Sequence, residues 1–377
     1  MRNTLLCTVG TSLFEGNLRR LSAETPGAPA NHAEIKEYFD HENMPDLAGA
    51  LLKVDPQSRI CGAEINTIEE ATKKSWIELE NLFFLVSDTQ DGKNTGEVLK
   101  KYYEGRRDIS LKQVDYRIID SLQDKHPAKF KTEGLRNLVR NVGDFIGRFG
   151  IEQVAIDATG GYKAQIAVAL LIGQALNIPV YYKHERFSEV IDFPPLPISL
   201  DYDMLGHNAD VLIDFERGKD FSDEDLGHLD EKLKVFLTEV NIDGHSLFEL
   251  NAIGQLYLTS FRLRYPKIPE LQALPKEERE VPSFGNDHHY PNGFKSFVEK
   301  IWAENKWIRK CISTNYNKQK GIKGIGFYVK EQGGDQFALM GTYKEKDFGA
   351  RYQIELSDNS RASMNWAAEY LNRTYRP

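Results

Sequence analysis

Cysteine is scarce in this chain. Cys7, Cys61 and Cys311 are three among 377 residues, widely separated, with no Cys-x-x-Cys. An odd number at such spacings argues against a disulfide framework or a structural zinc and fits a reducing cytoplasm. Long apolar runs are missing too. No stretch reaches the roughly 18 residues that a membrane helix needs. The opening from Met1 to Cys7 carries one charge and too short an apolar run for a signal peptide. Internal repeats and low-complexity tracts are absent, and so are the spacings of a Walker A loop and a dinucleotide fingerprint. What is present is the composition of a soluble globular protein, 41% hydrophobic and 28% charged, long enough for two or three domains. No membrane association is expected, and a cytoplasmic location is.

Charge is unevenly spread. The chain carries a net -8 at pH 7, yet Lys295 to Pro377 holds more Lys and Arg than Asp and Glu. A basic C-terminal segment on an acidic protein suggests two tasks, with a polyanion as one partner; the plainer alternative is a solvated basic surface.

The stretch Asp157-Ala158-Thr159-Gly160-Gly161-Tyr162-Lys163 organises the N-terminal half. It follows an apolar run, Val154–Ile156, precedes an Ala/Leu/Ile-rich segment to Ala175, and leads to a second apolar run from Ile178. Strand, glycine turn, helix, strand is the unit of a parallel α/β sheet. Paired glycines let backbone approach a ligand, and a helix N-terminus directs N–H groups at it, which suits a phosphate with Lys163 adding charge. A tight turn with a solvated lysine fits the same residues equally well. Two further strand-like runs end in small polar residues: Thr4–Val9 in Gly10-Thr11-Ser12, and Leu82–Val86 in Ser87-Asp88-Thr89. Ligands of open parallel sheets sit outside the carboxyl ends of strands, so these turns would share a pocket.

Thr8–Leu13, Ala63-Glu64, Ser87–Gly92, Gly134-Leu135, Ala158–Ala164 and Phe193–Pro197 occur together and in order. Together they resemble the CARF domain of CRISPR-associated effectors over about residues 1–200. The resemblance implies a Rossmann-like, homodimeric domain that binds cyclic oligoadenylate, with cyclic tetra-adenylate as the activator. Gly10, Thr11 and Ser12 would form one wall of its site and Thr159, Gly160, Gly161 and Lys163 the other, with Asp88 and Thr89 nearby.

The prolines at 194, 195 and 197 mark the end of that domain. Leu229, Leu233, Phe236 and Val240 recur at helical spacing, with Ser246 or Asn251 as caps, so 201–283 reads as a helical, even winged-helix, connector. Asp287-His288-His289-Tyr290 reads as a polar turn rather than a metal cluster, because adjacent histidines point apart.

From residue 284 the pattern gives a helix (294–312), a basic loop (315–323), three strands (325–330, 336–344, 352–356) and a helix (360–371). No Arg is followed by His at the spacing of HEPN ribonucleases, and these strands lack the Glu-x-Lys or Asp-x-Lys of restriction-like nucleases. No His occurs after His289, which leaves Lys, Arg and Tyr. A metal-free ribonuclease can use that set, with Lys or Tyr moving protons and Arg stabilising the phosphorane. Element order, size and basic character resemble the RelE family of mRNA interferases, which implies cleavage of mRNA on the ribosome. Lys318, Lys320, Lys323, Tyr343, Lys344, Lys346, Arg351 and Arg361 are the pool for a catalytic site; each alone also reads as a solvated surface side chain. The expectation is an α/β chain of three parts: a sensor (1–200), a connector (201–283) and a small α+β ribonuclease (284–377). It would serve as an ancillary effector of type III CRISPR antiviral defence, allosterically activated, with no cofactor or metal. Two alternatives are a CARF domain that degrades its own cyclic ligand, and a non-catalytic ligand-gated regulator.

Overall fold

The computed structural model describes all residues except 185, 186, 188, 220, 223–230, 243, 286–288, 315–321 and 335. The chain divides into two compact units. The first comprises Met1–Leu200, Val235–Thr238 and Asn251–Arg264; the second comprises Asp201–Lys234, Glu239–Leu250 and Tyr265–Pro377. The stretch read as a separate connector is therefore shared out between them.

The first unit is a mixed α/β layer structure. Its strands are β1 (Thr4–Thr8), β2 (Asn81–Ser87), β3 (Gln113–Ile119), β4 (Val154–Asp157), β5 (Val180–Tyr182) and β6 (Ile191–Phe193). They lie in the order β3-β2-β1-β4-β5-β6, parallel except for β6 at the edge. Between them run α1 (His32–Asp40), α2 (Met44–Leu51), α3 (Gly62–Lys73), α4 (Gln90–Gly105), α5 (Leu135–Phe149) and α6 (Lys163–Leu176).

Successive side chains of a strand point to opposite faces. Leu5, Cys7, Leu82, Phe84 and Val86 enter one buried cluster, while Leu6, Phe83, Leu85, Val154 and Ile156 enter another. Both faces are covered, which is why these strands read as unbroken apolar runs. The arrangement is Rossmann-like. Strand β1 lies between β2 and β4, so the winding reverses there and leaves a crevice at the carboxyl ends of β1 and β4.

Further helices among the described residues include α7 (Asp203–His207), α8 (Ala209–Glu216), α9 (Ala252–Arg264), α10 (Phe294–Glu304) and α11 (Arg361–Tyr375). Of these, α9 belongs to the first unit, where it packs on α5. Asn251 caps it as the sequence predicts, its Oδ1 accepting from the N–H groups of Ile253 and Gly254 at 2.9 Å each. Ser246, the other expected cap, lies in a strand instead.

That strand is β8 (His245–Leu250), which pairs antiparallel with β7 (Phe221–Ser222) in the second unit. The helical spacing read through Leu233, Phe236 and Val240 does not persist. A tight helical turn ends at Phe236, and Val240 lies in extended chain. Leu229 is outside the described residues.

The main sheet of the second unit is antiparallel, in the order β9-β12-β11-β10. Its strands are β9 (Ile308–Ser313), β10 (Gly326–Gly333), β11 (Gln336–Glu345) and β12 (Phe348–Leu356). Four strands stand where the sequence reading gave three. The helix predicted to run to Ile312 stops at Glu304. Asn305 turns its Nδ2 back to the carbonyl of Ile301 and to the Tyr375 hydroxyl, at 2.9 Å each, and Ile308 and Cys311 are buried on the new strand.

The C-terminus is pinned within this unit. Arg217 donates to the carbonyls of Arg373, Arg376 and Pro377. The Arg376 guanidinium grips both carboxylate oxygens of Asp214 at 2.8 and 2.7 Å, with side-chain exposures of only 10% and 7%. Removing Arg376 leaves the buried Asp214 carboxylate with Lys219, a half-exposed side chain, as its counter-charge. Arg376→Ala is expected to destabilise the second unit by about 3 kcal/mol, read as a lower denaturant midpoint of its unfolding transition.

Candidate functional site

The crevice at the ends of β1 and β4 is built by close backbone approach. A Cβ at Gly10 would lie 2.7 Å from the N of Gly161. One at Gly160 would lie 2.1 Å from Glu64 Oε1 and 2.7 Å from the N of Gly10. Gly161 has φ +101, open to glycine at little steric cost. The two turns are laced together. Thr8 Oγ1 donates to the Gly160 carbonyl at 2.6 Å, and the Gly10 N–H donates to Glu64 Oε1 at 3.1 Å. The Thr159 N–H donates to Asp157 Oδ1 at 3.0 Å. The Thr159 hydroxyl meets Thr67 Oγ1 and accepts from the Lys183 N–H, both at 3.0 Å.

Below these turns lie two fully buried carboxyls, Glu64 and Asp157. Burial pushes Glu64 above the ordinary carboxylate range, against the opposing bond from Gly10. It raises Asp157 to about 8, with Glu64 adding to the rise and the Thr159 bonds opposing it.

Gly10, Thr11, Ser12, Thr159, Gly160 and Gly161 line one open pocket of about 470 Å³, with Arg20 and Glu15 at its side. The hydroxyls of Thr11 and Ser12 bond no protein group among the described residues. Lys163 opens α6 and is exposed, but it does not line this pocket. Asp88 and Thr89 do not line it either. Thr89 caps α4 by accepting from the Gly92 N–H at 3.0 Å, and Asp88 pairs with Lys93 at 3.1 Å. The turn after β2 is a helix cap, a role that small polar residues signal equally well.

A second compartment of about 240 Å³ shares Ser12 and Gly16 with the first. Asn66, Arg59, Lys183, His184 and Phe187 line it, and none was singled out from sequence. Their only sequence signal is that 183–187 follow the last parallel strand. Lys183 is held from below by Glu70, Nζ to Oε2 2.9 Å. Desolvation would raise Glu70, but the Val190 N–H, Lys74 and Lys183 outweigh it and bring the carboxyl down to about 2.

The second unit has a cleft of about 260 Å³. Of the expected catalytic pool, Lys323 and Arg351 line it; Lys344, Lys346 and Arg361 do not. Lys318 and Lys320 lie outside the described residues, as do Asp287 and His288. Tyr343 donates its hydroxyl to the Asn292 carbonyl and packs on Phe297, which is a framework role. Lys346 sits in the β11–β12 turn with φ 52. The Arg361 guanidinium lies 3.6 Å from the Phe337 ring centroid, beside Asp203 and in contact with His207 Nε2.

Among the groups in this cleft that sequence reasoning missed are His207, Asp210, Asp214, Tyr328, Thr342 and Arg376. Residues 290–377 hold no histidine, as read from the sequence, but the second unit also takes in residues 201–234 and brings His207 to the cleft. His207 Nδ1 donates to the Val329 carbonyl at 2.9 Å. Burial raises Tyr328, with Arg351 opposing the rise.

Residues 59–196 match the model of a family described as CRISPR-associated protein (Cas_APE2256). The match covers less than half the chain. It runs from before α3 through β6, taking in Glu64, Asp157 and the Gly160-Gly161 turn, and β1 with Gly10 precedes it. No curated protein matches the chain.

A methyl group at Gly160 has no room, since backbone and a buried carboxyl surround it. Gly160→Ala is expected to cost about 2 kcal/mol or more of first-unit stability, measured by denaturant unfolding.

Proposed function

We propose that the first unit senses cyclic oligoadenylate and that the second is a metal-independent endoribonuclease under its control. The chain would act as a type III CRISPR effector that cuts mRNA on the ribosome. One observation carries the reading. The glycine turns after β1 and β4, which meet at the switch point of a parallel sheet, offer backbone groups and unengaged hydroxyls to an anion. The similarity of residues 59–196 to a CRISPR-associated family supports it. A cyclic ligand with two-fold symmetry suits a homodimer whose two crevices face one ring.

The second-unit cleft supports the ribonuclease half. Attack of a 2′-hydroxyl on its phosphate needs a proton acceptor, a cation for the phosphorane and a proton donor for the 5′-oxygen. Arg351 is charged at any working pH and suits the phosphorane. Tyr328, kept neutral by burial, suits the donor. Lys323 is the candidate for removing the first proton, since both ring nitrogens of His207 are engaged, by the Val329 carbonyl and by Arg361. Activation then requires the ligand to favour the state in which the cleft works. The free hydroxyls of Thr11 and Ser12 favour a second reading, in which the crevice also cleaves its own ligand.

Titration calorimetry with cyclic tetra-adenylate tests the sensor. Arg20→Ala is expected to weaken binding about tenfold, the scale of a lost charge-assisted hydrogen bond. Absence of binding by the wild type would remove the sensor reading. Single-turnover cleavage of ribosome-bound mRNA tests the second unit. Arg351→Ala is expected to lower the rate about a hundredfold with ligand affinity unchanged. Chelator should leave cleavage intact once ribosomes are held together, and rescue of lost activity by manganese on naked RNA would overturn the metal-independent mechanism.

A further inference from the structure

Glu64 and Asp157 are not used by the reading above, yet they support both turns of the crevice. Glu64 reaches the first turn through the Gly10 N–H, and Asp157 reaches the second through the Thr159 N–H. Their relative exposures are 1% and 0%, and neither makes an ion pair among the described residues. Glu64 Oε2 and Asp157 Oδ2 are buried without a hydrogen-bond partner. An ionised carboxylate so placed, without a cation, would be costly; the neutral acid costs less.

We propose that Glu64 and Asp157 are positioning residues held as neutral acids. Each accepts a backbone N–H from one turn while placing no negative charge beneath an anion-binding crevice. The proposal builds on the sensor reading of that crevice. Its chemical sense lies in the ligand class: a phosphodiester anion over two carboxylates would meet repulsion in a poorly screened interior.

Glu64 stands in the first turn of α3, where its own N–H opposes the rise without overcoming it, and the side chains around the pair do not offset the rest. Cys7 on β1 faces Asp157, and burial raises its thiol well above the usual range. Tyr181 on β5 is raised to about 12 by burial. Lys183, after β5, is engaged by Glu70. Arg59, just before α3, Glu15, in the helical turn after β1, and Lys163, at the start of α6, are exposed. Asp157 is expected to lose its proton as pH rises through about 8.

Affinity for cyclic tetra-adenylate, whose phosphodiesters stay ionised throughout, tests this at constant ionic strength. Wild-type affinity is expected to hold up to neutral pH and fall about tenfold by about pH 9. Asp157→Asn should flatten that profile. Glu64→Gln, which keeps an oxygen for the Gly10 N–H, should bind within about threefold of wild type at neutral pH, and Glu64→Ala should lose about tenfold or more.

Affinity about tenfold tighter in Glu64→Gln than in wild type would reveal a charged Glu64 and overturn the proposal. A pH profile that is flat in wild type, or unchanged in Asp157→Asn, would do the same. Infrared spectra of the ligand-free protein give a second readout. The carbonyl stretch of protonated carboxyls is expected at neutral pH and should diminish in Glu64→Gln and in Asp157→Asn. Its absence in wild type overturns the proposal even if Asp157→Asn does not fold. If the band is present while the wild type binds no ligand, the neutral carboxyls stand and the sensor reading falls.

Discussion

The first unit depends on two turns of backbone meeting with no side chain between them. Gly10 and Gly160-Gly161 approach so closely that a single Cβ at either site would strike backbone. That contact joins the carboxyl ends of β1 and β4, the point where the sheet reverses its winding. The Thr8 hydroxyl on the Gly160 carbonyl and the Glu64 carboxyl on the Gly10 N–H fix it from within. An open crevice results, with preset backbone and two hydroxyls at its edge.

The second unit gathers its cleft differently. Its antiparallel sheet supplies Tyr328, Thr342 and Arg351, while α7 and α8, far earlier in the chain, supply His207, Asp210 and Asp214. Arg376 closes the group from the C-terminus by binding Asp214. Cations and carboxylates are interleaved here. The net basic balance of the last 80 or so residues is therefore a poor guide to the field in the cleft. Arg361 illustrates the point, since Phe337, Asp203 and His207 surround it and it lies off the cleft lining.

The parallel sheet was legible in the sequence because both its faces are buried, which leaves unbroken apolar runs bounded by glycine turns. Gly10 to Ser12 and Thr159 to Gly161 were legible as strand-end turns because small residues follow an apolar run in each; that they line one pocket was decided by the fold. The turn at Asp88-Thr89 has the same composition and serves as a helix cap, and composition does not separate the two uses. Strand β9 was hidden because Phe294 to Ile312 keeps an apolar spacing that helix and strand share; the side chain of Asn305 ends the helix.

By itself the sequence determined the α/β class of the first unit, the position of its two glycine turns and the absence of any long apolar span. These follow from local periodicity and from what glycine permits. Tertiary structure decided which turns meet, that Glu64 and Asp157 lie buried beneath them, and that His207 and Asp214 belong with Arg351 and Arg376. Those facts depend on contacts between residues separated by up to 160 or so positions, as between Asp214 and Arg376. Burial and pairing at that range are set by packing, and no local pattern in the chain carries them.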